Sequence, residues 1–296
     1  MASGTSPANR GSEPPRSIAR AAAWVTGWLA LMTLIAVAGR EASRQLDVFQ
    51  IMLLRSLIGM LMLYPLLRAN GGLGAVRTTR WRGHLGRNVV HYGAQYAWFL
   101  ALTLIPLTQV IAIEFTMPLW VTLLAAAFLG ERLSAIKIVA ALLGLAGVAI
   151  IVRPATAAVD QGQLIALAAA VGFAVAVTMV KSLTRTEKTV AIIFWMLVIQ
   201  SLIGLLPALA VWRNPTTVTW AWVVVVAFCG TYSHYCLTNA MRYADATTVV
   251  PMDFLRVPLT ASAGWLVYGE RIDGYTVTGA ALILAANLLN LRLRGR

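Results

Sequence analysis

Ten stretches of this chain are apolar on every face over about the 20 residues a helix needs to cross a bilayer. They run 19–38, 48–68, 86–103, 107–129, 135–152, 162–181, 190–212, 219–240, 247–268 and 274–292. A run with no polar side cannot be a surface helix of a soluble bundle. A run that does not alternate cannot be a strand of a membrane barrel. The expected fold is therefore an all-α polytopic membrane protein with ten transmembrane helices. Composition agrees, with 59% hydrophobic and 12% charged residues. Soluble chains carry about 45–50% apolar and about 25% charged residues.

The net charge of +13 does not point to nucleic acid, because no basic stripe interleaved with aromatics is present. Basic residues of membrane proteins gather in loops on the cytoplasmic side. On the side of the N-terminus lie Arg10, Arg16, Arg20, Arg68, Arg77, Arg80, Arg82, Arg87, Arg132, Lys137, Lys181, Arg185, Lys188, Arg242, Arg292, Arg294 and Arg296. The other side has Arg40, Arg44, Arg153, Arg213 and Arg271, while Arg55 and Arg256 fall within spans. Both termini are expected in the cytoplasm. Residues 1–18, rich in Ser, Gly, Pro and Arg, read as a disordered cytoplasmic tail. Ala36-Val37-Ala38 resembles a signal-peptidase site, but cleavage there would remove the partner of span 6 in the repeat described next. Cys229 and Cys236 sit in one apolar run with no His or Cys cluster, so they read as buried small side chains.

The chain repeats itself. Gly130-Glu131-Arg132 and Gly269-Glu270-Arg271 are 139 residues apart. At that offset Phe115 meets Phe254, Glu114 meets Asp253, Tyr92 meets Thr231, Gln95 meets His234, Tyr96 meets Tyr235 and Phe99 meets Thr238. Pro118 and Pro258 miss by one position. Ser56-Leu57-Ile58-Gly59 meets Ser201-Leu202-Ile203-Gly204 at an offset of 145. The boundaries are 19–155 for the first five-helix repeat and 156–296 for the second. Five is odd, so the second copy enters the membrane from the opposite face. Inverted repeats place a site near the midplane, around a central cavity, and allow inward-open and outward-open arrangements of similar energy.

These residues resemble the drug/metabolite transporter superfamily, in its EamA-type ten-helix branch. The likeness rests on Pro118 with Gly130-Glu131-Arg132 and Ala141 to Gly147, and again on Pro258, Gly269-Glu270-Arg271 and Gly279-Ala280-Ala281. It looks closest to the YddG-type exporters of aromatic and other amino acids. The resemblance implies a multi-pass transporter of the bacterial inner membrane that exports amino acids or related metabolites without a cofactor or metal. Arg256 in mid-span departs from the pattern.

Span 3 carries Asn88, His91, Tyr92, Gln95, Tyr96 and Phe99 on one helical stripe; span 8 carries Thr231, His234, Tyr235, Thr238, Asn239 and Arg242 at the same spacing. Polar side chains facing lipid are costly, so both stripes are expected to face inward, as helix–helix glue or as the lining of a wet cavity. Trp98, Trp195 and Phe115 are candidate apolar walls for a substrate. Asp253 and Arg256, three apart, neutralise each other on one face. Glu114 needs a partner from another helix, and Arg55 is the expected one. Pro118, Pro251 and Pro258 are expected to kink spans 4 and 9. Spans 5 and 10, with Ala140-xxx-Gly144 and Ala281-xxx-Ala285, are expected at the periphery, as scaffold or as the face of a homodimer. No HExxH, GxSxG or Walker A loop is present, and His84 (in a loop), His91 and His234 are scattered, which disfavours an intramembrane enzyme. A channel would favour a symmetric charged ring. Within transport, the alternative cargo is lipophilic cations or drugs.

Overall fold

The computed structural model describes residues 17–105, 113–130, 135–152, 161–256, 259 and 274–292. The tail up to residue 16, the Glu-Arg pairs of both GER tripeptides, Pro258 and Thr260 lie outside them. The described residues form helices α1 (Ile18–Ala42), α2 (Val48–Ala69), α3 (Trp81–Leu104), α4 (Met117–Leu129), α5 (Ala135–Val152), α6 (Gln161–Leu183), α7 (Thr189–Ala210), α8 (Thr217–Tyr243), a short α9 (Ala246–Val249) and α10 (Gly274–Arg292). A 3-10 turn, Gly72–Val76, follows α2, and another, Val250–Leu255, continues α9. Five helices, α1, α2, α6, α7 and α8, are both long and apolar enough to cross a membrane. Among the described residues there is no strand.

Helix starts and stops follow local chemistry. Ser17 caps α1, Asp47 Oδ1 accepts from Phe49 N at 2.9 Å to cap α2, and Thr216 caps α8. Gly130, at φ 67°, turns the chain into the left-handed region that closes α4.

Helix direction can be read from contacts between ends. Ser17 N donates to Tyr243 O at 3.1 Å, so the start of α1 meets the end of α8. Arg80 donates to Ser182 O at 3.0 Å, joining the start of α3 to the end of α6. Leu67 packs with Val190, joining the end of α2 to the start of α7. Arg185 donates to Leu129 O at 2.8 Å, bringing the end of α4 there as well. This end gathers Arg20, Arg68, Arg80, Lys181, Arg185 and Arg242, and is called the basic end here. At the opposite end Gln50 exchanges two hydrogen bonds with the backbone of Arg213, at 2.6 and 2.9 Å. The helix α1 thus starts at the basic end and α6 finishes there. The two run in opposite directions.

Partner choice shows the same inversion. The helix α1 packs along α8, and α6, its counterpart, packs along α3. The helix α2 packs along its own counterpart α7, and α5 along α10. Glycines at equivalent places let the long pairs approach. A Cβ on Gly27 of α1 would meet Cys236 Sγ at 3.2 Å, and one on Gly172 of α6 would meet the Ala94 methyl at 2.9 Å. Gly27 and Gly172 are 145 apart. Cys229 and Cys236 are buried free thiols.

One expectation is corrected and two are sharpened. The helix α3 begins at Trp81, so His84 lies inside it and is buried, rather than in a loop. Its first turn extends past the apolar stretch because α6 and α7 cover it. Spans 4 and 9, where prolines were expected to bend the chain, depart from regular α-helix over their described parts. Residues 115–116 form a turn before α4, and Val250–Leu255 is wound as 3-10 helix. Each break falls at a proline-bearing stretch, where ring geometry removes backbone bonds. Lastly, Tyr96 is the exposed member of its stripe. It is 40% exposed and stacks on Phe49 with ring centroids 4.9 Å apart. At ~100° per residue the stripe is broad, and Tyr96 sits at its edge, roughly 80° from Asn88.

Candidate functional site

Residues related by a twofold axis touch each other only on that axis. Two such pairs touch here, and a third is bridged by one side chain. Arg55 of α2 and Gln200 of α7 are 145 apart in sequence, and Arg55 Nη2 donates to Gln200 Oε1 at 2.9 Å. Phe115 and Phe254, 139 apart, stack with centroids 5.8 Å apart. Glu114 and Asp253, also 139 apart, share one guanidinium. These meetings lie between α2 and α7 and between the broken segments before α4 and after α9.

The contacts beside the axis repeat as well. A Cβ on Gly59 of α2 would meet Thr231 Oγ1 at 2.3 Å; one on Gly204 of α7 would meet Tyr92 Oη at 2.9 Å. Gly59 corresponds to Gly204, and Thr231 to Tyr92. The Ser-Leu-Ile-Gly tetrapeptide is thus the place where α2 and α7 each receive a polar side chain from α8 and α3. Ser56 and Ser201 spend their hydroxyls on the carbonyls of Met52 and Leu197, at 2.9 and 2.7 Å.

Around Arg55 and Gln200 lies a buried polar layer. Gln200 Nε2 donates to Asn88 Oδ1 at 3.2 Å and meets His91 Nδ1 at 3.0 Å. Arg87 Nη1 donates to Asn88 Oδ1 at 2.7 Å, and Asn88 Nδ2 donates to His84 O at 2.8 Å. Gln95 Oε1 lies 3.5 Å from Arg55 Nη2. His234, half-buried, stands edge-on to His91 at 5.0 Å between centroids, and Phe173 closes the other side of His91 at 5.7 Å. Several buried polar atoms here have no partner: Nε of Arg55 and of Arg87, Tyr92 Oη and Thr231 Oγ1. Buried polar groups are normally bonded, so this layer keeps donors in reserve.

The second cluster is charged, and its Arg256 Nε and Asp253 Oδ1 have no hydrogen-bond partner. Arg256 Nη2 reaches Glu114 Oε1 at 2.7 Å and Asp253 Oδ2 at 2.9 Å. Trp98 Nε1 donates to Glu114 Oε2 at 2.8 Å, and the Arg256 guanidinium lies over the Phe115 ring at 5.2 Å. Arg55 is therefore not the partner of Glu114. The cation comes from the other repeat, because the axis brings the break at Glu114 against the one at Asp253. One turn of α3 links the clusters: Gln95 belongs to the first, Trp98 to the second, and Phe99 packs on Trp98 at 5.1 Å.

The remaining candidates lie toward the basic end. Trp195 donates to Val76 O at 2.9 Å, and Asn239 accepts from Thr189 at 3.0 Å. Tyr235 meets Trp24 edge-on at 5.8 Å, and Thr238 is buried one turn further along α8. They join a seal in which Thr78 donates to Glu187 at 2.6 Å, Arg242 to Thr189 at 2.8 Å and to Glu187 O, and Lys181 to Met241 O and Ala244 O at 2.6 and 2.8 Å. Sequence reasoning missed Gln200 and Arg87. The 145 offset that aligned the tetrapeptides also aligned Gln200 with Arg55, which was the available signal. Arg87 was counted with the loop charges because it opens its apolar stretch. Among the described residues no three His, Cys, Asp or Glu side chains gather to hold a metal.

A repeated helical bundle with broken helices and a polar layer on its axis defines a multi-pass membrane transporter. The profile of the EamA-like transporter family matches residues 20–153 and again 160–292, and the chain belongs to that family. A riboflavin transporter of Rhizobium johnstonii is 36% identical over 223 residues, covering 75% of this chain and 74% of that protein. An S-adenosylmethionine uptake transporter of Rickettsia prowazekii is 25% identical, covering 85% of each chain. A pseudopaline exporter of Pseudomonas aeruginosa is 28% identical, covering 83% of this chain and 87% of that one. A solved crystal structure superposes with a TM-score of 0.82 at 20% identity, over 94% of this chain and 98% of that one, and speaks to the fold.

Proposed function

We propose that the chain moves a small polar metabolite across a bacterial inner membrane by alternating access about the axis through Arg55–Gln200 and Phe115–Phe254. The observation that carries this reading is the partly unpartnered polar layer where the inverted halves meet, in a bundle that has no other reason to bury such groups. The basic end faces the cytoplasm, as its gathered Lys and Arg favour. The hydrogen-bonded seal there is the cytoplasmic gate, and the Arg256 cluster, at the two helix breaks, is the element that moves with it. The two five-helix repeats span 19–155 and 156–296.

The inferred cargo is an amino acid or an amino-acid-derived metabolite with an aromatic or heteroaromatic part. Asn88, Gln95, Gln200 and the histidines supply hydrogen bonds; Phe173, Trp98 and Phe99 supply flat apolar surface. Relatives named for uptake and for export leave direction open, so export rests on the amino-acid-exporter resemblance alone. A second reading, riboflavin as cargo, is favoured by the relatives above 30% identity. Counterflow in proteoliposomes loaded in turn with phenylalanine, S-adenosylmethionine and riboflavin tests both. Saturable exchange of one of them is expected. Flux of quaternary ammonium compounds alone, or a voltage-driven ion current, would overturn the reading. Normal transport by both Glu114→Gln and Asp253→Asn would remove the gating role of their cluster.

A further inference from the structure

Resting on that transport reading, we infer that Arg55 and Arg87 form a binding site for an oxyanion, and that the cargo passes this layer as a carboxylate. Both side chains are buried, at 5% and 3% exposure. Guanidinium groups stay charged in proteins. Every partner they have is a neutral amide: Gln200 and Gln95 for Arg55, Asn88 for Arg87. A buried charge is ordinarily paired, and two like charges in one layer raise the cost of leaving them so.

The described acids elsewhere are committed. Among the described residues, Glu114 and Asp253 share Arg256, Glu41 pairs with Arg44 at 3.2 Å, Asp47 caps α2, and Glu187 accepts from Thr78 in the basic-end seal. Asp245 stands at the start of α9, at that same end. None of them reaches Arg55 or Arg87.

The layer is also built to hold the charge in place. Gly230 makes room for the Arg55 stem, since a Cβ there would meet Arg55 Cδ at 2.8 Å. Nε of each arginine is left with no partner, as are Tyr92 Oη and Thr231 Oγ1. Unused donors beside two uncompensated cations match a carboxylate, which accepts several hydrogen bonds at once. A lipophilic cation would be repelled by the same layer.

The test is a thermal-unfolding titration of the full-length chain in lipid nanodiscs at constant ionic strength. The probes are benzoate and N-acetylphenylalanine, each beside its uncharged amide (benzamide, N-acetylphenylalaninamide), with sodium phosphate and sodium chloride as separate arms. At least one carboxylate is expected to raise the melting temperature saturably where its amide does not. Its half-saturating concentration is expected to rise about ten- to hundredfold in Arg55→Gln and in Arg87→Gln, with part of the loss restored in Arg55→Lys. Arg55→Gln places at the axis the residue that its counterpart position already holds. If no carboxylate outperforms its amide on the unsubstituted chain, the site falls, whether or not the variants fold. If phosphate or chloride alone stabilises, the layer holds a free ion and the cargo assignment falls. Riboflavin counterflow that no carboxylate inhibits would keep transport and overturn the site. Carboxylate binding with no counterflow of any cargo would fail the transport reading instead.

Discussion

Around Arg256 two carboxylates crowd one guanidinium; around Arg55 a second guanidinium stands, and no carboxylate among the described residues reaches it. Both clusters lie where paired residues of the two repeats meet, one buried and the other largely so. Each breaks the symmetry with a single arginine. Arg256 has Met117 at its counterpart position, and Arg55 has Gln200. The Arg256 cluster pairs its cation with carboxylates of the chain, and Trp98 binds the second oxygen of Glu114, while Arg256 Nε and Asp253 Oδ1 keep no partner. The Arg55 cluster satisfies only shape and amide hydrogen bonding. A folded chain keeps such a surplus of charge where something outside the chain completes it.

The contrast can be broken most forcefully at Arg256. Arg256→Met leaves two carboxylates buried together and is expected to cost ~3–5 kcal/mol, read as a lost or sharply lowered unfolding midpoint in detergent. Adding Glu114→Gln and Asp253→Asn to it should recover most of that loss, because the charges then leave together. Truncating Arg55 to Gln should cost far less stability than Arg256→Met; equal losses would erase the distinction between the two clusters. Next in size is crowding at the tetrapeptides. Gly59→Val drives a side chain into Thr231 and should cost about 1–3 kcal/mol, with partial relief in the double variant that also carries Thr231→Ala. Trp98→Phe removes a hydrogen bond to a charged oxygen and should cost about 1.5–3 kcal/mol at most, measurable in the same unfolding assay. Tyr96→Leu, at an exposed edge, should stay within about 0.5 kcal/mol.

Much of the site was legible as residues and little of it as neighbours. The stripe on α3 is legible in the sequence as a spacing of polar residues, and Asn88, His91 and Tyr92 of it are buried. Periodicity alone could not say where the stripe's edge falls, so Tyr96 was grouped with them. The need of Glu114 for a cation from another helix was plain from its apolar surroundings. The choice between Arg55 and Arg256 was not, because it turns on which helix breaks meet across the axis. Gln200 looked like one amide in an apolar run until its contact with Arg55 gave it meaning.

Sequence by itself determined that the chain is a repeated set of apolar helices, and which residues of one half answer to which in the other. Both are local properties: apolar length follows from counting residues, and correspondence from a constant offset. Only the tertiary structure decided that Arg55 meets Gln200, that Phe115 meets Phe254 and that one guanidinium serves two distant carboxylates. Those meetings depend on where a symmetry axis runs through the packed bundle, and the axis is fixed by how all the helices fit together rather than by any one of them.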